Sequence, residues 1–376
     1  MNKELDFVVA GVICLDITPQ FLSLPTNHIE DILIPSKTIL MGKADIHCGG
    51  TVSNTGLALS HYGHKVGFMG RLGNDSFGQI IREQYSTYSY FDYLNNTNTP
   101  DTSYAIAIAP PGIDRIFLYH PGCNDDFSSN DLNFDIISKS RIFHFGYPQA
   151  LKKMYENDGQ YFIDILKKIK QLGVVTSVDT CSIDPHSSSG SANWTKILKN
   201  SIPYIDFFLP SLEELCYMVD YPKYLYLLKH SNGKDFTNLL SLSDIEDLAQ
   251  KVISMGAKIL MIKCGAKGIY FASGIQENLK SIENELGFCL SSWANQTLIV
   301  PAFKPKTILS ATGAGDVCIA TFLSAMIRRF PLKTCLQLAA MAGSKCCESY
   351  DALGALPTFD TLLQFLDSKW DRNIFN

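Results

Sequence analysis

The sequence predicts an α/β fold built on a mostly parallel sheet. Short apolar runs alternate with helix-like segments along most of the 376 residues, which is the pattern of βα units. Several of these runs are apolar on both faces, as a buried parallel strand requires. Hydrophobic residues make up 46% of the chain and charged residues 18%, so a large core can form.

Six apolar runs are predicted as strands of the main sheet. They occupy residues 6–14, 65–69, 141–145, 174–179, 204–209 and 258–264. The segments between them are predicted as helices with ordinary caps. Ser243 and Glu246, for example, have the spacing of a capping box, and Gly256 follows where a helix should end.

Two segments break this alternation and are predicted to form a small β lid. One of them has alternating apolar residues on either side of a Pro-Pro-Gly turn, which is typical of a β-hairpin. Both follow points where a strand of the main sheet ends, so they could fold together over its carboxyl edge. We assign the lid to residues 18–48 and 102–119, the core to 1–17, 49–101 and 120–376, and an insertion of uncertain structure to 221–241.

The composition excludes several classes of protein. A net charge of −5 and a pI near 5.9 argue against a nucleic-acid partner. Eleven cysteines without a C-x-x-C pair are expected to be buried thiols in a reducing compartment. No apolar stretch reaches the roughly 18 residues of a membrane helix, so we expect a cytoplasmic protein with no membrane partner.

The segment 312–316, with the sequence TGAGD, is the most informative part of the chain. Glycines directly before a helix let the backbone approach a ligand, and the N–H groups of the first turn attract a phosphate. Asp316 could then accept the proton of an attacking hydroxyl, as phosphoryl transfer to an alcohol requires. On spacing alone, a helix cap after a tight turn is the favoured interpretation of Asp316, because G-x-G before a helix is common.

A second glycine-containing helix start precedes it in the chain. Gly49 and Gly50 open an apolar segment in which Asn54 can both donate and accept hydrogen bonds. Such a start would let a polyol lie against the backbone. A plain β-to-α turn with a polar first helical turn is the alternative.

Taken together, these segments resemble the ribokinase-like (PfkB) carbohydrate kinases. The order of Asp16, Gly49-Gly50 with Asn54, residues 70–78 (GRLGNDSFG) and residues 313–316 (GAGD) is that of the family, and the resemblance spans about 7–357. It implies a three-layer α/β/α core with a mostly parallel central sheet, a β lid over the cleft, and ATP with Mg²⁺ as phosphoryl donor.

The resemblance also implies a role for each matching residue. Asp316 corresponds to the catalytic base, and the backbone of Gly313, Ala314 and Gly315 to the anion hole. The substrate-binding residues of the family correspond to Asp16, Gly49, Gly50 and Asn54. The nucleotide-binding residues correspond to Glu214, Lys263, Gly265, Gly268 and Gly315. Glu214 is also expected to reach the metal through water.

This chain departs from the family pattern at several positions. Ser211 replaces the Asn of the N-x-x-E motif and could instead cap a helix, and Ser310 replaces an Asp, which puts a monovalent-cation site in doubt. Lys263 replaces a Thr and could add charge near the phosphates or face solvent. Gly146 stands in place of a sugar-binding Glu, so ribose is a poor guess. Thr51 replaces the Lys of members that act on phosphorylated sugars, which favours an unphosphorylated acceptor.

We therefore expect an ATP-dependent kinase acting on a hydroxyl of a small unphosphorylated sugar or sugar-like molecule. A nucleoside kinase of the same fold and a non-catalytic sugar- or nucleotide-binding relative remain alternatives. A dinucleotide-dependent oxidoreductase is disfavoured, because no G-x-G-x-x-G follows the first strand. The lid could pair with a second copy in a homodimer or simply cover its own cleft.

Overall fold

The computed structural model describes residues 3–23, 25–26, 28–86, 88, 91–97, 101–112, 115–232 and 234–375. The strands are β1 (Leu5–Gly11), β2 (Cys14–Phe21), β3 (Met41–Gly49), β4 (Val66–Gly73), β5 (Phe91–Thr97), β6 (Tyr104–Ile108), β7 (Ile116–His120), β8 (Ser140–Gly146), β9 (Val175–Val178), β10 (Phe207–Phe208), β11 (Ile259–Lys263), β12 (Gly268–Ser273) and β13 (Thr297–Pro301).

Thirteen α-helices accompany these strands in the described residues, together with several short 3-10 turns. The helices are α1 (Gly50–His61), α2 (Ser76–Tyr85), α3 (Phe134–Ser138), α4 (Lys152–Tyr155), α5 (Gln160–Gln171), α6 (Trp194–Ser201), α7 (Leu212–Val219), α8 (Tyr221–His230), α9 (Leu242–Ser254), α10 (Gln276–Leu286), α11 (Ala314–Ile327), α12 (Leu332–Cys346) and α13 (Phe359–Leu366).

Nine strands form one large sheet in the order β13-β12-β11-β10-β9-β8-β1-β4-β5. The strands from β11 to β5 pair in parallel, whereas β12 runs antiparallel to both of its neighbours. All six apolar runs predicted as strands contribute to this sheet, as β1, β4, β8, β9, β10 and β11, although the run 6–14 reaches Cys14 of β2 and the run 204–209 forms only the two-residue β10. The prediction of a mostly parallel sheet is confirmed.

Helices cover both faces of the large sheet and bury a hydrophobic core on each. Along β1, Phe7 and Val9 point into one core and Val8 and Ala10 into the other, because successive side chains of a strand alternate. The first core packs against α1, α2 and α10–α13, and the second against α3–α9. This three-layer arrangement explains why the strands carry apolar residues on both faces.

Four strands form a separate small sheet in the order β3-β2-β6-β7. The predicted hairpin is present, with β6 and β7 antiparallel, and β6 runs parallel to β2. The small sheet begins at Cys14, so Asp16 lies within it, opposite His47 of β3. The turn from β1 into β2 therefore joins the two sheets near the carboxyl edge of the large one.

Two local predictions need revision or completion. The capping box of α9 is formed by Ser241 and Asp244, not by Ser243 and Glu246, because the helix begins at Leu242, two residues earlier than the spacing suggested. The insertion at 221–241 forms α8 and a 3-10 turn at Phe236–Leu239.

All eleven cysteines are free thiols, and eight of them are buried. Cys181 and Cys347 are partly exposed, and Cys289, between α10 and β13, is exposed. Within the described part of the chain, no helix combines the length and apolar character that crossing a membrane requires.

Candidate active site

The carboxyl ends of the parallel strands carry the polar residues of the candidate site. Tyr147 follows β8 after Gly146, Asp179 directly follows β9, and Lys263 ends β11. The amino ends of α1 and α11 reach the same edge. Ligands of open parallel sheets bind outside the carboxyl ends of the strands, so the fold places these groups where a substrate would be expected.

Asp316 lies in the first turn of α11, with 6% of its surface exposed. Its Oδ1 accepts hydrogen bonds from the Tyr147 hydroxyl at 2.6 Å and from Thr55 Oγ1 at 3.2 Å. Its Oδ2 accepts one from Asn54 Nδ2 at 3.1 Å. The carboxylate does not cap its own helix, for which no side-chain cap is present. Three donors from two other elements fix its orientation instead.

Gly313 gives α11 its open amino end. Its φ of +75° is a left-handed conformation, and a Cβ on it would lie 2.4 Å from the Cβ of Ala352. Glycine is therefore required at this position, because of the left-handed backbone conformation and because a side chain would collide with Ala352. The first backbone N–H groups of α11 have no partner within the helix, although that of Ala314 donates to the Ala311 carbonyl at 3.3 Å, and the positive end of the helix dipole lies at the same place. They can bind an anion.

Asp16 approaches the start of α1. A Cβ on Gly49 would lie 2.3 Å from the Asp16 carboxyl carbon, so this carboxylate packs directly against the glycine backbone. Burial raises the pKa of Asp16 to about 6, and the negative charge of Asp316 contributes to the shift. Gly50 has a φ of +77°. The structure thus brings Asp16, both glycines and Asn54 to one side of Asp316.

Lys263 and Glu214 lie on the other side. The Lys263 ammonium pairs with Asp179 at 2.5 Å and faces Gly315 of α11, so it does not face solvent. Glu214 Oε2 accepts hydrogen bonds from the Ser211 backbone N–H at 2.8 Å and from the Thr180 hydroxyl at 2.6 Å. Ser211 and Glu214 form a capping box at α7. The predicted helix-capping role is therefore present, whatever further role Glu214 has.

The turn at 265–268 is held from two sides. Lys267 Nζ donates to the Leu240 carbonyl at 2.6 Å, at the end of the insertion. Asn373 Nδ2, in the segment after α13, donates to the Ala266 carbonyl at 2.8 Å. Gly268 has a φ of +121°, and a Cβ on it would lie 2.1 Å from the Val300 carbonyl oxygen. These contacts give the turn a fixed shape beside Lys263.

The comparisons with known proteins identify the family. Residues 10–358 match the family described as "pfkB family carbohydrate kinase". The chain belongs to the PfkB family of carbohydrate kinases. An uncharacterized sugar kinase of Archaeoglobus fulgidus is 24% identical over 310 residues, covering 80% of this chain and 98% of the relative. The 5-dehydro-2-deoxygluconokinase of Geobacillus thermodenitrificans is 23% identical, covering 97% of this chain and 94% of the relative.

Solved structures of PfkB-type kinases share the fold. The ribokinase of Arabidopsis thaliana, complexed with ribose and ATP, superposes with a TM-score of 0.67 at 20% identity, covering 98% of this chain and 100% of that chain. A putative ribokinase II of E. coli, in complex with ATP and Mg²⁺, has a TM-score of 0.69 at 16% identity, covering 96% and 99%. The ribokinase-like fold expected from the sequence is confirmed.

In this PfkB protein, Asn54 of the predicted acceptor side contacts Asp316, and Lys263 of the predicted nucleotide side lies against Gly315. Four contacting residues were not among the predicted site residues: Thr55, Tyr147, Asp179 and Thr180. Asp179 and Thr180 follow a buried strand at the carboxyl edge, which is a signal that could have identified them. Tyr147 contacts Asp316 although the two residues are 169 positions apart in the sequence, and no sequence pattern indicates that contact.

Proposed function

We propose that this protein is an ATP-dependent kinase that transfers the γ-phosphoryl group to a hydroxyl of a small, unphosphorylated sugar or sugar-like acceptor. Asp316 is the general base. The observation that carries the proposal is the position of Asp316, in the first turn of α11 next to the open amino end at Gly313 and in contact with Asn54. A base and an anion site are thereby adjacent, as transfer to an alcohol requires.

In this mechanism, the acceptor lies between Asp16, Asn54 and the base. Asp16 accepts hydrogen bonds from acceptor hydroxyls, and the amide of Asn54 both orients the acceptor and holds Asp316 Oδ2. Asp316 takes the proton of the attacking hydroxyl as its oxygen bonds to phosphorus. The backbone N–H groups of Gly313, Ala314 and Gly315 stabilise the charge on the phosphoryl oxygens during transfer.

The charge of the acceptor side supports an unphosphorylated acceptor. Asp16 and Asp316 are close enough for the charge of Asp316 to raise the pKa of Asp16. A phosphate ester beside Asp16 would add a dianion to two carboxylates, which is electrostatically unfavourable at low local dielectric. Neutral sugars and polyols, whose hydroxyls donate to carboxylates, fit this environment.

ATP and Mg²⁺ are the donor pair in this proposal. Among the described residues, no three His, Cys, Asp or Glu side chains are grouped to hold a metal. Mg²⁺ keeps several waters and is bound largely by nucleotide phosphates, and Glu214 is the residue that would reach it through water. The ion would neutralise charge on the phosphates. Ser310 supplies no carboxylate for a monovalent cation, and its hydroxyl accepts from the Thr312 N–H at 3.1 Å.

An acceptor screen with a base-deleted control tests this function. ADP release is measured with neutral sugars, polyols, sugar acids and nucleosides, each with Mg-ATP. We expect turnover with at least one sugar-like acceptor, and a fall in kcat of about 100- to 10,000-fold for Asp316→Asn. The melting temperature and ATP affinity of the variant should remain close to those of the wild type. Comparable turnover by the variant would rule out Asp316 as the base, and ATP binding without turnover on any acceptor would favour a non-catalytic relative.

A further inference from the structure

A buried ion pair lies directly beside the amino end of α11. Lys263 Nζ and Asp179 Oδ1 are 2.5 Å apart, and the two side chains are 12% and 2% exposed. Both residues stand at the carboxyl edge of the large sheet, with β10 between their strands. Burying such a pair costs desolvation energy that its attraction only partly returns, so a purely structural benefit is small. The position of the Lys263 ammonium shows which other groups it can bind.

The ammonium lies against the backbone of the anion site. A Cβ on Gly315 would lie 3.3 Å from Lys263 Nζ and 3.5 Å from its Cδ. The positive end of the α11 dipole is thus next to a lysine, although cations are unfavourable at a helix amino end. An anion placed between the two would interact favourably with both. The absence of a side chain at position 315 leaves the lysine in contact with that space.

The surrounding carboxylates keep this lysine charged. Burial alone would lower the pKa of Lys263, but Asp179 and then Glu214 raise it above its usual value, and Asp316 adds to the effect. The ammonium therefore lies within electrostatic reach of the proposed base and of the residue proposed to reach Mg²⁺. In the proposed mechanism, the phosphoryl group in transfer would pass between these two groups.

We propose that Lys263 is a catalytic residue that binds the transferred phosphoryl group, and that Asp179 positions it. This inference rests on the proposed kinase function. As the acceptor oxygen bonds to phosphorus and the bond to the ADP oxygen breaks, the ammonium donates a hydrogen bond to a phosphoryl oxygen and stays protonated. The acceptor proton goes to Asp316. Asp179 holds the lysine against Gly315, so that little side-chain freedom is lost when the phosphoryl group arrives.

The same strand offers a matched control. Lys258 directly precedes β11, whereas Lys263 is its last residue. Like Lys263, Lys258 pairs with a buried carboxylate, that of Asp206. Its ion pair lies at the opposite end of the strand, away from α11. Lys258→Met and Lys263→Met each remove one lysine charge from an end of β11. Only Lys263→Met removes a charge from the proposed site.

The experiment measures kcat and the dissociation constants of ATP and ADP for both methionine variants. ADP lacks the γ-phosphoryl group, so its affinity reports binding that does not involve the proposed contact. We expect Lys263→Met to lower kcat by about 100- to 1000-fold and to reduce the preference for ATP over ADP by about tenfold. Lys258→Met should keep both values within about twofold. Lys263→Arg should retain part of the activity, and Asp179→Asn should lower kcat with unchanged ADP affinity.

Each outcome decides between this proposal and the underlying function. If the wild type turns over, and Lys263→Met keeps wild-type kcat and nucleotide preference, the role of Lys263 is overturned while the kinase assignment stands. If the wild type binds neither nucleotide, the kinase assignment falls and the role of Lys263 with it. Should Lys263→Met fail to fold, the kcat and ADP affinity of Asp179→Asn decide, and a wild-type kcat there overturns the proposal.

Discussion

The buried imidazole of His144 makes the stability of the protein depend on pH in a way that can be calculated. His144 is fully buried in β8, with Nε2 3.2 Å from the Thr51 hydroxyl oxygen and Nδ1 2.9 Å from the Ser177 hydroxyl oxygen. Burial, aided by the charge of Lys263, lowers its pKa from 6.5 to about 3. In the unfolded chain the imidazole takes up a proton near pH 6.5, whereas the folded protein does not.

The stabilising effect of neutral His144 is therefore full above pH 6.5 and is lost as the pH falls toward 3. Because the loss is about 1.4 kcal/mol per pH unit once the unfolded imidazole is charged, it amounts to about 2 kcal/mol between about pH 7 and about pH 5. His144→Gln keeps a polar side chain of similar size but cannot titrate, so its free energy of unfolding should fall by about 2 kcal/mol less over the same interval.

Urea denaturation of the wild type and His144→Gln at both pH values measures this difference directly. Asp16, whose pKa is raised to about 6, contributes with the opposite sign, since it binds a proton more readily when folded. That contribution is common to both proteins and cancels in the comparison. Equal pH-dependent losses in the two proteins would refute the conclusion that His144 stays neutral in the folded state.

Two further predictions concern the ion pairs of the core and the acceptor side of the site. Asp206→Asn removes the carboxylate that Lys170 and Lys258 share; Lys170 keeps its ion pair with Glu285, whereas Lys258 loses the partner of its ion pair. The free energy of unfolding, measured by urea denaturation, should fall by about 3–5 kcal/mol, whereas Asp164→Asn, at an exposed position, should cost about 0.5 kcal/mol or less. Gly49→Ala places a methyl group 2.3 Å from the Asp16 carboxyl carbon, so the Asp16 side chain must move. We expect kcat/KM for the acceptor to fall about 100-fold while ATP affinity stays unchanged. An unaltered kcat/KM would mean that Asp16 does not contact the acceptor.

The strands of the main sheet and its mostly parallel character could be predicted from the sequence because both leave a local pattern. Runs such as β1 and β11 are apolar on both faces, and only a sheet covered by helices on both sides buries such strands. The hairpin β6–β7 was predicted for the same reason, from alternation around a turn. The small errors occur at helix ends, as for α9, where two serines close together offer competing caps.

The parts of the site that the sequence could not supply depend on contacts between distant segments. The motif around Asp316 predicted its location, but not that Tyr147 would donate to its Oδ1. Lys263 could have faced solvent from a strand end, and only its contact with Gly315 shows that it faces α11. Such contacts depend on how two helices and a sheet pack together, and a single sequence without relatives carries no pattern for that packing.

The uneven distribution of the thiols offers a route to observing the lid directly. Maleimide reagents attack accessible cysteines, and Cys289 is the exposed one of the eleven. A spin label on Cys289 would sit on the core, and a second on an engineered cysteine at Leu118, an exposed residue of the lid strand β7, would sit on the small sheet. The distance between the labels, measured with and without nucleotide and acceptor, would show whether the small sheet moves relative to the core.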